Sequence, residues 1–314
     1  MSARPQPPDR APLAVRAPAR AGLMGNPGDV YDGKAIAVAL WNFSARVQIG
    51  PAPQLALPDD VGAAALLEAA LGRLPEAPDR RLALEVQSDV PRQVGLAGSS
   101  AIVVAALQAL CAWFEIRLHP AELAERALAA EVEDLGIVAG PMDRVIQAYG
   151  GLVHMDFAPP RGAHSYRRLD PSLLPPMFLA WDPAPGEMSG VPHADVRRRW
   201  ERGDPAVREA MAVFPGLVDR ALACLESGDR EGFMTRVNRN FDTRASIWPC
   251  RARDVEMVRV GRECGAAVKF AGSGGAVVGF LRDEAERSAV EKAYAEAGFR
   301  CVRPRLDPPP ESAA

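Results

Sequence analysis

The sequence contains a glycine loop that reads Pro91-Arg-Gln-Val-Gly-Leu-Ala-Gly-Ser-Ser-Ala101. A strand is predicted before it, over residues 81–86, and a helix after it, over residues 100–114. The first backbone N–H groups of a helix have no partner within the helix, and together with the helix dipole they attract phosphate. Gly95 and Gly98 allow the backbone to approach such a ligand closely. The order of strand, glycine loop and helix therefore predicts a phosphate-binding loop.

This loop differs from the two most common phosphate-binding motifs. It lacks the Gly-Lys-Ser/Thr of a Walker A loop, and its glycines do not have the G-x-G-x-x-G spacing of a dinucleotide site. One of Ser99 and Ser100 is predicted to cap the helix, which leaves the other hydroxyl available to bind Mg²⁺ beside nucleotide phosphates. The predicted nucleotide-binding residues are Pro91, Gly95, Leu96, Ala97, Gly98, Ser99, Ser100 and Ala101.

A second glycine cluster, Lys269-Phe-Ala-Gly-Ser-Gly-Gly-Ala-Val277, lies between strands predicted over residues 267–270 and 276–281. A tight hairpin would explain two of its glycines, but a Gly-Ser-Gly-Gly run is more than a hairpin needs. We therefore interpret Gly272, Ser273, Gly274 and Gly275 as a second binding loop, which reaches either the same phosphates or the substrate.

Three acidic residues near the middle of the chain are candidates for metal or acid–base chemistry. Asp143 follows a glycine-containing turn at a predicted helix start, and Glu131 and Glu133 lie at the end of a helix predicted over residues 120–131. Each also has an ordinary interpretation, because a carboxylate favours a helix N-terminus and charged residues commonly cover a solvated helix face. If the first loop binds phosphates, one carboxylate can bind Mg²⁺ and another can orient the attacking hydroxyl.

The composition is that of a globular protein and excludes several other classes. The chain has 314 residues, of which 48% are hydrophobic and 25% charged. A net charge of −3 gives no broad positive field for nucleic acid, and the uncharged segment 93–114 begins with glycines and serines that leave too short a remainder to span a membrane. The five cysteines lack CxxC spacing and the four histidines form no zinc motif, so we expect a reducing cytoplasm and no protein-built zinc site.

The chain is predicted to form two domains with an α+β or α/β pattern. Strand-like and helical segments alternate in both halves, and the segment Pro159-Pro-Arg-Gly162 interrupts the pattern. This segment marks the predicted boundary between domains of residues 17–160 and 161–302. Residues 1–16 and 303–314, which are rich in proline, are predicted to be disordered tails.

Three motifs resemble those of the GHMP kinase superfamily and occur in that family's order. The glycine loop is similar to the family's phosphate loop, Ala17-Pro-Ala-Arg20 with Gly25-Asn-Pro-Gly-Asp29 resembles its first motif, and Lys269-Phe-Ala-Gly-Ser-Gly-Gly275 resembles its third. The resemblance implies an ATP-dependent kinase with a two-domain α+β fold and an active site between the domains.

The same resemblance implies roles for individual residues. Ser100 and Glu131 would bind Mg²⁺, with Glu131 matching at an offset of one residue. Asp143 would act on the substrate hydroxyl, and Arg20 would lie near the transferring phosphate.

Further strings, spread over residues 17–279, resemble the glucuronokinases within that superfamily. They are Gly25-Asn-Pro-Gly-Asp-Val-Tyr31, Pro91-Arg-Gln93, Glu133-Asp-Leu-Gly-Ile-Val-Ala-Gly140, Gly150-Gly-Leu-Val-His-Met-Asp-Phe157, Arg197-Arg-Arg-Trp200 and Asn238-Arg-Asn-Phe-Asp-Thr-Arg244. This resemblance implies the reaction of D-glucuronate with ATP to give glucuronate 1-phosphate and ADP. The alternatives are another sugar 1-kinase of the galactokinase type, a heptose kinase, or a sugar sensor without catalysis.

The substrate expected from this resemblance is a small sugar or sugar acid, with no nucleic-acid or membrane partner, and no oligomeric state is predicted. Asp29 is expected to face sugar hydroxyls, with Asn26 and Tyr31 beside it. A sugar acid also needs a cation for its carboxylate, and the planar guanidinium of an arginine suits that geometry best. The candidates, in order of expectation, are Arg144, Arg92 and Arg244.

Overall fold

Strands form two sheets in the part of the chain that the structure describes, which in this computed structural model comprises residues 10–77, 80–160, 163–184 and 190–309. One sheet has the order β1-β2-β4-β5, with β3 also paired to β2, and the other has the order β7-β8-β6-β9. The strands are β1 (Leu13–Met24), β2 (Lys34–Pro51), β3 (Leu82–Ser88), β4 (Leu152–Asp156), β5 (Ser165–Leu169), β6 (Met177–Trp181), β7 (Ala267–Phe270), β8 (Ala276–Phe280) and β9 (Arg300–Val302).

The helices alternate with these strands along the chain, as the sequence predicts for an α+β fold. They are α1 (Val61–Gly72), α2 (Gly98–Phe114), α3 (Pro120–Ala129), α4 (Met142–Tyr149), α5 (Gly190–Glu201), α6 (Pro205–Ser227), α7 (Arg230–Ala245), α8 (Ala252–Glu263) and α9 (Arg287–Glu296). A π-helical turn, Ala130–Asp134, extends α3, and a 3₁₀ turn, Gly28–Tyr31, follows β1. Within the described residues, none of these helices combines the length and hydropathy needed to cross a membrane.

Strand β2 is long enough to pair with β3 and β4 along different parts of its length, in addition to its neighbour β1. Its residues Lys34–Val38 run antiparallel to β4, and its residues Ala45–Pro51 run antiparallel to β3. Strand β1 is buried without interruption from Ala17 to Met24. A strand buried on both faces has no alternation of polar and apolar residues, and this is why the sequence pattern does not reveal β1.

The chain divides into two compact units, each assembled from separate stretches. Unit 1 comprises the described residues of Met1–Ala19, Phe43–Val90 and Ala97–Tyr149. Unit 2 comprises the described residues of Arg20–Asn42, Pro91–Leu96 and Gly150–Ala314. The glycine loop predicted to bind phosphate therefore contributes residues to both units. Its residues up to Leu96 belong to unit 2, and its residues from Ala97 onward belong to unit 1.

Helix α2 lies in the core of unit 1. Its run of alanine, valine and leucine residues is buried around most of the helix, where it packs on α1, α3 and α4. The helix ends at Glu115, which takes a left-handed conformation with φ of 58°. Pro120 then begins α3, a position where its missing N–H costs no hydrogen bond.

In unit 2, helices α7 and α8 pack on β7, and α6 packs on α7. Gly228, with φ of 74°, ends α6, and the Asp229 side chain accepts the Gly232 N–H at the start of α7. These two local signals turn the chain sharply, so α7 follows directly and lies beside α6. One core of unit 2 includes Phe178, Phe241 and Phe270.

Several predicted elements match the structure closely. Strand β7 has the predicted bounds, β8 ends one residue before its predicted end, and α2 begins two residues before its predicted start. Part of each predicted tail is ordered. Residues Leu13–Arg16 belong to β1. The Arg305 N–H donates to the Asn42 side-chain oxygen, and the Arg305 carbonyl oxygen accepts the Trp41 N–H. Residues 1–9 and 310–314 of those tails, and Arg161 and Gly162 of the predicted domain boundary, lie outside the described residues. All five cysteines are free thiols, and the cytoplasmic location stays a prediction.

Candidate active site

The two glycine loops predicted from the sequence meet within unit 2. Gly95 has a φ of +69°, and a Cβ built on it would lie 2.6 Å from the Gly274 carbonyl oxygen and 2.9 Å from the Ser273 nitrogen. A Cβ on Gly272 would lie 2.0 Å from the Gly95 carbonyl oxygen. Only glycine permits this approach, because both neighbours are backbone atoms that cannot move aside as a side chain could.

The second loop is also a hairpin connection, because β7 and β8 are antiparallel and pair through Phe270 and Val277. Its backbone is anchored by Asp254, which is buried on α8 and accepts the Gly275 N–H at 3.2 Å. Arg251 donates two hydrogen bonds to the same carboxylate, at 3.1 and 2.7 Å. The hairpin interpretation is therefore confirmed, and the role of this loop in binding stays a prediction. No sequence signal singled out Asp254.

Helix α2 begins without a side-chain cap. Its first residue is Gly98, and the preceding Ala97 takes a left-handed conformation with φ of 60°. Ser99 and Ser100 are the second and third helical residues, so the predicted cap by one of them is wrong: an N-cap residue must precede the first turn to reach its N–H groups. The first-turn N–H groups at this end of α2 therefore keep their attraction for an anion.

Gln147 supports this turn from helix α4. Its amide Nε2 donates to the Ala97 carbonyl oxygen at 2.9 Å and to the Pro18 carbonyl oxygen at 3.1 Å. The side chain is almost fully buried. It lies one helical turn after Asp143 and so links the left-handed residue before α2 to the helix that carries the predicted catalytic carboxylate.

Four predicted site residues form one cluster in unit 1. Ser100 Oγ donates to Glu131 Oε1 at 3.2 Å, and both side chains are buried. Arg144 pairs with the other oxygen of Glu131 and places its Nη1 3.9 Å from Asp143 Oδ2. The side chains of successive helical residues usually point in different directions, yet Asp143 and Arg144 both take part in this cluster.

The π-helical turn sets the position of Glu131. A π turn contains one residue more than an α turn. This turn includes Glu131, the residue that resembles the family's metal ligand with an offset of one position. Burial raises the pKa of the Glu131 carboxyl, and the neighbouring Arg144 guanidinium opposes that rise. The carboxylate is thus held in a buried ion pair that also contacts a hydroxyl.

Arg144 is not suited to its predicted role as the first candidate for the substrate carboxylate. Its Nε and Nη2 contact Glu131, and its Nη1 donates to the Gly140 carbonyl oxygen at 2.7 Å. Each guanidinium nitrogen therefore already has a protein partner. Arg92, the second candidate, is exposed, and within the described part of the chain it forms no ion pair.

Unit 2 buries several cationic side chains near its two glycine loops. Arg20, 5% exposed, donates from Nη1 to the Gly95 carbonyl oxygen at 2.6 Å. Lys269, 1% exposed, donates to the carbonyl oxygens of Gly22 and Phe270 and to Asn26 Oδ1, at 2.5, 2.8 and 2.7 Å. Burial lowers the pKa of Lys269 well below its usual value, and nearby arginines lower it further.

The segment from Gly25 to Tyr31 is fixed by these buried groups. Asn240 on α7 accepts the Gly25 N–H at 2.7 Å and donates to the Asn26 carbonyl oxygen at 3.2 Å. The Asn26 side-chain oxygen accepts a hydrogen bond from Lys269, and Asp29 is buried in the following 3₁₀ turn. Tyr31 lies with its ring centre 4.8 Å from that of Trp200, and burial raises its pKa to about 12.

Arg244, the last of the three candidate arginines, is only 2% exposed. Its Nη1 donates to the Gly272 carbonyl oxygen at 2.6 Å, and its guanidinium lies 4.1 Å from the ring centre of Trp248. Sequence reasoning gave Trp248 no role and did not select Asn240 or Lys269. Asn240 and Arg244 are four residues apart on α7 and so lie on the same face of the helix. Polar residues on one helix face are the sequence signal that could have identified both.

Comparison with known proteins shows the family of this chain. Residues 61–151, which include the glycine loop, Glu131 and Asp143, match the profile described as GHMP kinases N terminal domain. Glucuronokinase 1 of Arabidopsis thaliana is 34% identical over 338 residues, which cover 95% of this chain and 93% of that protein. The chain belongs to the GHMP kinase superfamily.

Two solved structures show the fold of this GHMP kinase. A Lin0012 protein from Listeria innocua matches with a TM-score of 0.81 at 14% identity, covering 94% of this chain and 98% of the other. Galactokinase from Lactococcus lactis, complexed with galactose, matches with a TM-score of 0.80 at 14% identity, covering 95% and 94%. At these identities the likeness establishes the fold alone, and the predicted α+β GHMP kinase fold is confirmed.

Proposed function

We propose that this GHMP kinase phosphorylates a sugar acid, transferring the γ-phosphoryl group of ATP to D-glucuronate and releasing ADP and glucuronate 1-phosphate. The relation to a glucuronokinase over 95% of the chain supports this substrate. A galactokinase-like or heptose kinase is a weaker alternative, because the match to the galactokinase structure is one of fold. The observation that carries the kinase assignment is the unit 1 cluster of Ser100, Glu131, Arg144 and Asp143.

The nucleotide phosphates are proposed to lie at the N-terminus of α2 and along the glycine loop. The absence of a side-chain cap on α2 supports this, because the first-turn N–H groups then need an acceptor. Arg20 adds a positive charge bonded directly to the Gly95 carbonyl of the loop. Charge in the transition state of phosphoryl transfer is spread over the phosphoryl oxygens, which amides and a guanidinium can stabilise.

Ser100 and Glu131 fit a Mg²⁺ ion by their chemistry. A hydroxyl and a carboxylate oxygen lie 3.2 Å apart, and Mg²⁺ prefers such oxygen ligands. The described residues contain no cluster of three His, Cys, Asp or Glu side chains, so the remaining ligands would be phosphate oxygens and water. Mg²⁺ bound there would supply neutralisation of phosphate charge. Arg144 would then hold the second carboxylate oxygen and so fix the orientation of Glu131.

Asp143 is proposed to accept or polarise the proton of the anomeric hydroxyl. It is partly exposed in the first turn of α4, and its helix is tied to the turn before α2 through Gln147. The nearby Arg144 guanidinium gives this carboxylate a fixed electrostatic neighbour at 3.9 Å. A direct in-line transfer requires no covalent phosphoenzyme.

The test is ATP turnover with a panel of sugars: glucuronate, galacturonate, galactose, arabinose and fucose. ADP release is measured for each sugar, with Asp143→Asn as the catalytic control. We expect the highest kcat/KM with glucuronate. A preference for galactose would replace the proposal by a neutral-sugar kinase, and binding of a sugar without ADP release from any member would favour a sensor.

A further inference from the structure

Arg244 has an unused pair of hydrogen-bond donors deep inside unit 2. Its Nη1 bonds the Gly272 carbonyl oxygen, but its Nε and Nη2 have no hydrogen-bond partner among the described residues. Nε and Nη2 lie on the same edge of the planar guanidinium, where their two N–H bonds form a fork that matches the two oxygens of a carboxylate. The orphaned edge therefore has the geometry of an anion site.

Leaving such a group unpaired is unfavourable, so a folded protein rarely does it without a ligand. A buried donor without an acceptor keeps the cost of its desolvation, and that cost is larger when the donor carries charge. Burial lowers the pKa of Arg244 to about 10, which still leaves the guanidinium charged at neutral pH. The protein thus keeps a desolvated cation with two open donors.

The side chain is also held in a fixed orientation. The ring of Trp248 lies 4.1 Å below the guanidinium and that of Phe270 5.5 Å away, while the Gly272 carbonyl oxygen fixes the third nitrogen. Trp248 is itself only 5% exposed. These contacts hold the guanidinium in place and leave its Nε and Nη2 edge preoriented.

We propose that the Nε and Nη2 edge of Arg244 binds the carboxylate of the sugar acid and so selects acids over neutral sugars. This assignment rests on the sugar-acid kinase activity proposed above. The transferring phosphoryl group is the other possible anion. Arg20 serves that group better, because it bonds the phosphate loop at Gly95, whereas the hydrogen bond of Arg244 goes to Gly272 in the second glycine loop.

The decisive variant is Arg244→Met, which keeps a flexible unbranched side chain and removes the charge. A buried charge without a counterion carries a large desolvation cost, and we expect its removal in Arg244→Met to offset the loss of the Nη1 hydrogen bond to Gly272. We therefore expect the free variant to have a melting temperature equal to or above that of the wild type. A lower melting temperature or a failure to fold would instead identify Arg244 as a structural cation and overturn the proposal.

Kinetics with glucuronate and glucose then test selectivity. We expect the ratio of kcat/KM for glucuronate to that for glucose to fall about 10- to 100-fold in Arg244→Met, the range for a lost charge-assisted pair. Arg244→Lys should recover only part of that ratio, because an ammonium has no fork. Arg259→Gln on α8, whose side chain is exposed and paired with Glu263, is the matched control and should leave the ratio unchanged.

The remaining outcomes separate this proposal from the proposed function. An equal loss for glucuronate and glucose in Arg244→Met would assign the fork to the phosphoryl group, and an unchanged ratio would leave Arg244 without a role in selectivity. Either result overturns the inference while glucuronate remains a substrate of the wild type. If the wild type does not turn over glucuronate at all, the proposed function fails and the inference fails with it.

Discussion

Replacing Gly95 by alanine tests the contact between the two glycine loops. Gly95 has a left-handed φ of +69°, which costs a residue with a Cβ about 1–2 kcal/mol. The new Cβ would also lie 2.6 Å from the Gly274 carbonyl oxygen, an overlap with backbone whose relief costs about 1–3 kcal/mol more. The expected loss of stability in Gly95→Ala is therefore about 2–5 kcal/mol, or a melting temperature lower by about 5 °C or more.

Gly98→Ala is the matched control in the same loop. Its Cβ would lie 3.4 Å from the Val90 side chain, an ordinary contact, and Gly98 is a helical residue where alanine is favoured by up to about 1 kcal/mol. Thermal unfolding followed by circular dichroism should show a large loss for Gly95→Ala and none for Gly98→Ala. Equal melting temperatures for the two variants would refute the described approach of the loops. Calorimetric titration with Mg·ATP would separately report any effect of Gly98→Ala on phosphate approach.

Two other predictions concern charge. Asp143→Asn should lower kcat about 100-fold or more while leaving Mg·ATP affinity nearly unchanged, because it removes the proposed base but preserves its shape; near-normal kcat would contradict the assignment. Burial raises the Tyr31 pKa to about 12, so the folded state disfavours the phenolate and stability should be lost as the pH rises from about 10 to about 12. Melting curves of wild type and Tyr31→Phe across that range should diverge, and parallel curves would show that Tyr31 does not contribute.

Local signals predicted the parts of the site that neighbours in sequence create. The glycine loop before α2, the helix start at Asp143 and the strands on either side of the second loop follow from periodicity and from the conformational freedom of glycine. The motif resemblance added the family, because the order of three separated motifs is more specific than any one of them.

Contacts between distant residues decided what the sequence could not predict. Position 95 requires glycine and position 98 does not, because the second loop, almost 180 residues later in the chain, packs against Gly95. The candidate arginine that we propose for the substrate carboxylate differs from the one that the sequence favours for the same reason. The sequence favours Arg144 as the neighbour of Asp143, but Glu131 pairs with it. Arg244 bonds a glycine loop 28 residues away, and its Nε and Nη2 have no hydrogen-bond partner in the part of the chain that the structure describes.

The identity of the product tests the central claim most directly. Wild-type protein is incubated with ATP, Mg²⁺ and D-glucuronate, and the phosphorylated product is examined by phosphorus NMR with proton coupling. The account predicts one sugar phosphate whose phosphorus couples to the anomeric proton, formed in equal amount with ADP. A phosphate coupled to another ring position, or ADP formed without any sugar phosphate, would contradict it.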